Sequence, residues 1–380
     1  MVPQPRLIIL QPTTYCNIDC SYCYLGRRDL RLCMSEAVLE AVVSKVADQL
    51  GQPERTAIVW HGGEPTTAGL LWFRRAYAIL QPARAAGIRF AVQTNGVALN
   101  DAWFDFFAET GTGVGFSIDG PRHIHDGKRR TRSGAGTWDL ATRNLVRASQ
   151  RGFRPNVISV VTAGGIAEAD AFYDFYRSFG ITDVSLSVDE VEGVNRLSSY
   201  DGRDLKSAMT GFIVRLLELA WADTYPLRIK EVERIGAVLA GAPCSNEQVE
   251  PWGTLTVSAE GNLSTFSPEL MEQTPASDHS YCFGNILGDE PQAWIEHAGF
   301  QAFARDVETG IEACRQSCRY FSVCGGGAPV NKVSEHGSAT ATETSYCRLT
   351  TQAAADALAK FVLTSRGPAA AHAAGVHLPA

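Results

Sequence analysis

The sequence predicts an α/β chain, a partial (β/α)6, TIM-like parallel barrel followed by a smaller cysteine-rich unit. Two observations carry that expectation. Short, almost continuously apolar runs alternate with longer helical patterns over the first 190 residues, and six of the ten cysteines fall between positions 244 and 347. The runs are residues 7–10, 57–60, 88–93, 114–118, 157–161 and 184–188, each the length and composition of a parallel strand buried on both faces. The first helix starts at Ser35, a good N-cap, and lines up Val38, Val42, Val43, Val46 and Leu50 on one stripe. Right-handed crossovers would curl six such units into a parallel barrel that stops short of the eight needed for closure. From about residue 243 the alternation ends, and Gly, Pro and Cys become frequent. The expected organisation is a barrel over 1–240, a metal-dependent unit over 241–350, a helix over 351–364 and a disordered tail over 365–380.

The 380 residues are 45% apolar and 20% charged, with a net charge of −7. That balance argues against a nucleic-acid or anionic-membrane surface. The N-terminus has no basic stretch leading into an apolar one, and no apolar run approaches the roughly 20 residues that span a bilayer. A cytoplasmic location is expected. Ten cysteines there point to metal ligation or redox chemistry more than to disulfides.

Cys16, Cys20 and Cys23 follow directly on the first strand, at the end where α/β folds place their active sites. Three thiolates this close in sequence can hold three corners of a four-iron cluster and leave the fourth iron open. A zinc site with a distant fourth ligand is the alternative that spacing alone leaves. The spacing resembles that of the radical SAM superfamily. Gly62-Gly63-Glu64-Pro65 after the second strand, Thr94-Asn95 after the third, Ser117 after the fourth, and Arg129 also match its pattern. The resemblance implies a 4Fe–4S cluster that chelates S-adenosylmethionine and opens it reductively to a 5′-deoxyadenosyl radical. Gly62, Gly63, Glu64 and Pro65 would receive the methionine ammonium, with the Glu64 carboxylate countering its charge. Thr94, Asn95 and Ser117 would meet ribose and carboxylate, and Arg129 would pair with the methionine carboxylate. An external low-potential reductant of flavodoxin or ferredoxin type is implied, since such clusters work at potentials that reach about −700 mV.

Cys314, Cys318, Cys324 and Cys347 resemble the SPASM extension of peptide-modifying relatives. Four cysteines suffice to close one auxiliary 4Fe–4S cluster, and they also suit tetrahedral zinc. The usual pattern would supply further cysteines where this chain has Phe266 and Ala328. One auxiliary cluster is therefore expected, with Cys33, Cys244 and Cys282 as packed or free thiols.

The segments 189–195, 261–270, 324–332 and 342–348 look like those of cyclophane-forming peptide maturases of the GrrM/OscB type. The resemblance implies a ribosomally made precursor peptide as substrate. It also implies a carbon–carbon bond between an aromatic ring and a nearby β-carbon. Glu190, Glu192 and Asp189 follow the sixth strand and are candidate bases for the proton lost from the ring. Thioether formation and formylglycine generation are rival reactions, and an iron–sulfur electron carrier is a rival of another class.

Overall fold

A computed structural model of the protein describes residues 3–273 and 280–364. Six parallel strands lie side by side in chain order: β1 (Leu7–Leu10), β2 (Ala57–Trp60), β3 (Arg89–Thr94), β4 (Gly113–Ser117), β5 (Asn156–Val161) and β6 (Asp183–Val188). They are the six expected runs, displaced by no more than a residue or so at their ends. Helices fill the crossovers and cover the outer face, as a parallel sheet requires. The first helix, Glu36–Lys45, is capped by the Ser35 side chain, which accepts from the Val38 amide, and it buries Val38 and Val42. It ends earlier than the apolar stripe suggested, and Leu50 belongs to the turn beyond it.

The sheet is longer than the sequence indicated. Beyond β6 lies a short parallel strand, β7 (Arg228–Ile229). On the other side β1 has a second parallel partner, β8 (Thr254–Val257), in register from Leu7–Thr254 to Leu10–Val257. Strand β9 (Leu263–Thr265) then runs antiparallel to β8. All four residues of β8 are buried, but two are threonines. β-Branched Thr suits a strand without registering as an apolar run. The cysteine-rich segment is thus joined to the barrel through the main sheet.

Aromatic side chains dominate the packing behind β2 and β3. Trp60 is fully buried against Phe73 and Trp72, with ring centroids 5.2 and 5.6 Å away. At the C-terminus, the helix Ala353–Thr364 packs on the helix Lys206–Ala222 and buries Ala354, Ala357, Leu358 and Phe361. The tail expected over 365–380 lies outside the described residues. Among the described residues, no helix is long and apolar enough to cross a membrane.

Candidate active site

The C-terminal ends of β1 to β6 open on a cavity of about 320 Å³. Cys16, Cys20 and Cys23 line it together. The loop carrying them is held on two sides. Ile18–Cys20 pairs antiparallel with Arg129–Thr131, which puts Cys20 opposite Arg129. The Tyr15 carbonyl accepts from the Glu64 amide at 2.8 Å. Gly63 makes that approach possible. Its φ is +58°, and a Cβ there would lie 2.5 Å from the Tyr15 carbonyl oxygen.

Glu64 is buried and lines the cavity, but its carboxylate is largely committed. Oε1 accepts from the Thr66 amide (3.2 Å), the Thr66 hydroxyl (2.6 Å) and the Thr94 hydroxyl (2.7 Å), and Oε2 accepts from the Asn95 amide (2.8 Å). An ionised carboxylate has about four acceptor positions, two on each oxygen, so Oε2, with one donor, can accept one more. Glu64 thereby braces the turn after β2 to the end of β3. Thr94 takes part in that brace and also accepts from the Gly96 amide at 3.0 Å. Pro65 opens the 3₁₀ turn Pro65–Ala68 and is buried.

Asn95 and Ser117 face the cavity, as does Gly62. The Asn95 side-chain amide donates to Asn17 Oδ1 at 2.8 Å and lies 3.8 Å from Cys16 Sγ. Ser117 accepts from Gln93 Nε2 at 2.8 Å and keeps its own hydrogen to donate. Arg129 is buried, and its guanidinium Nε lies 3.0 Å from Asp119 Oδ1. A guanidinium nitrogen also lies 3.8 Å from Cys20 Sγ. Asp119 is thus the carboxylate that Arg129 pairs with.

These three thiols suit an iron–sulfur cluster on the chemistry of their surroundings. Burial, with Glu64 nearby, raises Cys16 to about 12, and burial raises Cys20 to about 11 despite Arg129. Neutral thiols are favoured until a metal supplies positive charge, at which point a coordinating thiol ionises outright. Asn95 and Arg129 are in place to donate to the resulting thiolates.

The far side of the cavity is acidic. Glu190 and Glu192 both line it, and the Asn331 side-chain amide donates to both carboxylates, at 2.9 Å to Glu192. Burial pushes Glu190 up to about 8 and Glu192 well above the usual carboxylate range, where Glu190 also adds to the rise. Asp189 is different. Its carboxylate accepts from the Ser199 amide (2.9 Å) and hydroxyl (2.7 Å) and braces the following loop outside this cavity. Of the three candidate bases, Asp189 is therefore withdrawn. Asp189 lines a neighbouring cavity of about 360 Å³ that Glu190 also reaches, but of the two only Glu190 extends into the barrel mouth.

The sequence reading missed three groups here. Glu269 lines the same cavity and is raised to about 7 by burial. The Tyr24 hydroxyl, also lining it, is buried with no hydrogen-bond partner among the described residues. His61 is pushed down to about 4 by burial and is neutral at physiological pH. Tyr24 and His61 adjoin recognised motifs, which was a usable signal. Glu269 arrives from a remote segment and carried none beyond its place in a distinctive stretch.

A second cavity of about 510 Å³ lies in the cysteine-rich unit and is lined by Cys314, Cys318, Cys324 and Cys347. Cys314 ends the long helix Ala298–Ser317, and Cys324 precedes three glycines with positive φ. Cys347 Sγ lies 3.3 Å from the Thr344 amide and 3.7 Å from Gln352 Nε2. Burial raises Cys347 to about 11. Among the described residues no three ligands lie close enough to hold a single metal ion, but four cysteines around one cavity, with donors at Cys347, suit the larger 4Fe–4S cluster. Cys33 and Cys244 are exposed and Cys282 is half-buried, and none of them lines either cavity. Phe266 is fully buried and packs on Phe300 and Phe303, and Ala328 is buried too.

Comparison with known proteins agrees with this geometry. A protein-family model described as the radical SAM superfamily matches residues 10–179, from the end of β1 through the helix after β5. The protein sll1766 of Synechocystis sp., itself uncharacterised, is 32% identical over 359 residues, covering 92% of this chain and 90% of that one. A serine-type anaerobic sulfatase-maturating enzyme of Klebsiella aerogenes is 33% identical over 302 residues, 72% of each chain. Among solved structures, native anSMEcpe with bound AdoMet and Cp18Cys peptide superposes with a TM-score of 0.75 at 20% identity, covering 94% of this chain and 97% of that one. Streptococcus suis SuiB bound to precursor peptide SuiA gives 0.62 at 15% identity, covering 91% and 76%. These structures share the fold. Taken with the cysteine-lined cavity at the barrel mouth, the relatives identify this chain as a member of the radical SAM superfamily, enzymes that work with a 4Fe–4S cluster and S-adenosylmethionine.

Proposed function

We propose that this enzyme modifies a ribosomally made precursor peptide by joining an aromatic ring carbon to a nearby β-carbon. The observation that carries the reading is the cysteine inventory of the C-terminal unit. Four cysteines line one cavity; Phe266, where a second set would need a cysteine, is packed on Phe300 and Phe303, and Ala328 lines the cavity of the four cysteines without offering a ligand. The domain division at residues 240 and 350 belongs to the same proposal.

When bound, the clusters and S-adenosylmethionine supply a hydrogen-abstracting 5′-deoxyadenosyl radical and an electron acceptor. Cys16, Cys20 and Cys23 would hold the first cluster, and Cys314, Cys318, Cys324 and Cys347 the auxiliary one. Gly62, Asn95, Ser117 and Arg129 line the space left for S-adenosylmethionine. Forming one carbon–carbon bond from two C–H bonds removes one hydrogen atom, one electron and one proton. Glu190 and Glu192 line the barrel mouth, and Glu190, raised to about 8, is the one whose ionised form is accessible near neutral pH to take that proton, while burial and Glu190 itself hold Glu192 protonated. Asn331 holds the two carboxylates together.

Formylglycine generation is the second reading, and the 33% identity to a sulfatase-maturating enzyme favours it. Incubation of the reduced, reconstituted enzyme with aromatic-containing candidate peptides and with a serine- or cysteine-containing sulfatase peptide separates the two. A crosslink lowers the peptide mass by two hydrogens, leaves cysteines free to alkylate and gives no hydrazide adduct. A product that captures a hydrazide carries an aldehyde and would establish the second reading instead.

A further inference from the structure

The helix Pro329–His336 turns consecutive residues toward two different cavities. Asn331 reaches the carboxylates at the barrel mouth, while Lys332 lines the cavity of the second cysteine set. Lys332 is only 3% exposed. Its Nζ lies 3.5 Å from Cys314 Sγ, itself buried. Among the described residues no carboxylate comes within ion-pair distance of it. The other cations lining that cavity are engaged elsewhere. Lys206 pairs with Asp356 at 2.8 Å, Arg348 pairs with Asp204 at 2.6 Å, and Arg319 donates to the Tyr320 hydroxyl.

A buried ammonium with no anionic partner is strongly disfavoured, and an anionic group held in the cavity would supply the missing counter-charge. The packing leaves room for it through small residues. A Cβ on Gly310 would sit 3.0 Å from Lys332 Nζ, and one on Gly327 would sit 3.8 Å from Cε. Four thiolates around a 4Fe–4S cluster carry net negative charge, and reduction adds one more. A fixed cation beside one ligand sulfur favours the reduced form more than the oxidised one, and burial leaves it little screened by salt. The donors at Cys347, by contrast, are neutral amides.

We propose that Lys332 is the positioning charge of the auxiliary cluster, making it easier to reduce and so able to accept the electron that the peptide reaction releases. This rests on the reading that the cavity holds such a cluster. The test uses the full-length chain with Cys16, Cys20 and Cys23 replaced by alanine, reconstituted so that only the auxiliary cluster is present, and follows its reduction by spectroelectrochemistry. Lys332→Gln is expected to lower the reduced-to-oxidised ratio at fixed potential about tenfold, which is 59 mV for one electron. Lys332→Arg is expected to stay near the parent. An unchanged midpoint in Lys332→Gln at full iron content would overturn the inference. If Lys332→Gln loses iron, Lys332→Arg decides: iron retained with the parental midpoint supports the role of the charge, and loss in both variants overturns it. A parent with zinc or without iron would overturn the cluster assignment itself, a separate failure.

Discussion

Asn331→Ala offers the sharpest test of how the acidic wall works. One side-chain amide donates to both Glu190 and Glu192, and the substitution removes both bonds while keeping a helix-compatible residue. A hydrogen bond to a charged group contributes about 1.5–3 kcal/mol. Losing the donor disfavours the ionised form, and about 1.4 kcal/mol corresponds to one pKa unit. The pair, with Glu190 already near 8, should therefore titrate roughly one unit higher. Glu269 and Glu335 push in the same direction, and Tyr24 and Tyr346 are the other titratable groups close by. A base must be deprotonated to act, so rate rises with pH up to the pair's pKa, and a raised pKa carries the acid limb upward. Single-turnover crosslinking measured from pH 6 to 9.5 should show that limb displaced by about one unit, with about a tenfold loss near pH 7. Cleavage of S-adenosylmethionine, followed in the same samples, should be unchanged. A limb that stays in place while the overall rate falls would refute the assignment of the proton acceptor.

Other outcomes follow from the same geometry. Cys347→Ala should lower the iron content from about eight to about four per chain while leaving S-adenosylmethionine cleavage intact, and about twelve irons in the parent would contradict a single auxiliary cluster. Gly63→Ala puts a Cβ 2.5 Å from the Tyr15 carbonyl at a φ of +58°, a strain of about 1–3 kcal/mol, and should deplete the first cluster selectively in iron analysis. Glu190 and Glu269 bind protons more tightly folded than unfolded, so stability should fall as pH rises from about 4.5 through about 8. Glu190→Gln should accordingly raise the melting temperature at pH 8 while abolishing crosslinking. Equal melting temperatures at pH 8 would show that Glu190 is not held protonated by the fold.

Much of the fold was legible because its signals are local. Strands β1 to β6 are apolar runs separated by helical periodicity, and Ser35 announces its helix by a side-chain cap. β8 was not legible. Half threonine and more than 240 residues from β1 in the chain, it becomes a strand only because β1 offers a free edge. The site divides the same way. Cys16, Cys20 and Cys23 could be grouped from spacing alone, whereas Cys347 joins Cys314, Cys318 and Cys324 through a resemblance that folding turns into a shared cavity. Asp189 illustrates the limit from the other side. Adjacent to Glu190 in sequence, it is tied to Ser199 and stays in the neighbouring cavity, while Glu190 also reaches the barrel mouth.

What the sequence by itself determined is the chemistry available at each strand end: three thiols after β1, glycines and a carboxylate after β2, polar side chains after β3 and β4. Those are short-range patterns, written in residues a few positions apart. Only the tertiary structure decided which groups are free to act. It committed Glu64 to four hydrogen bonds and paired Arg129 with Asp119. It brought Glu269 and Asn331 to Glu190 and Glu192 from distant segments, and it buried Lys332 beside Cys314 without a carboxylate. Burial and pairing are properties of neighbours in space, and they set whether a carboxylate holds a proton or an ammonium needs a partner.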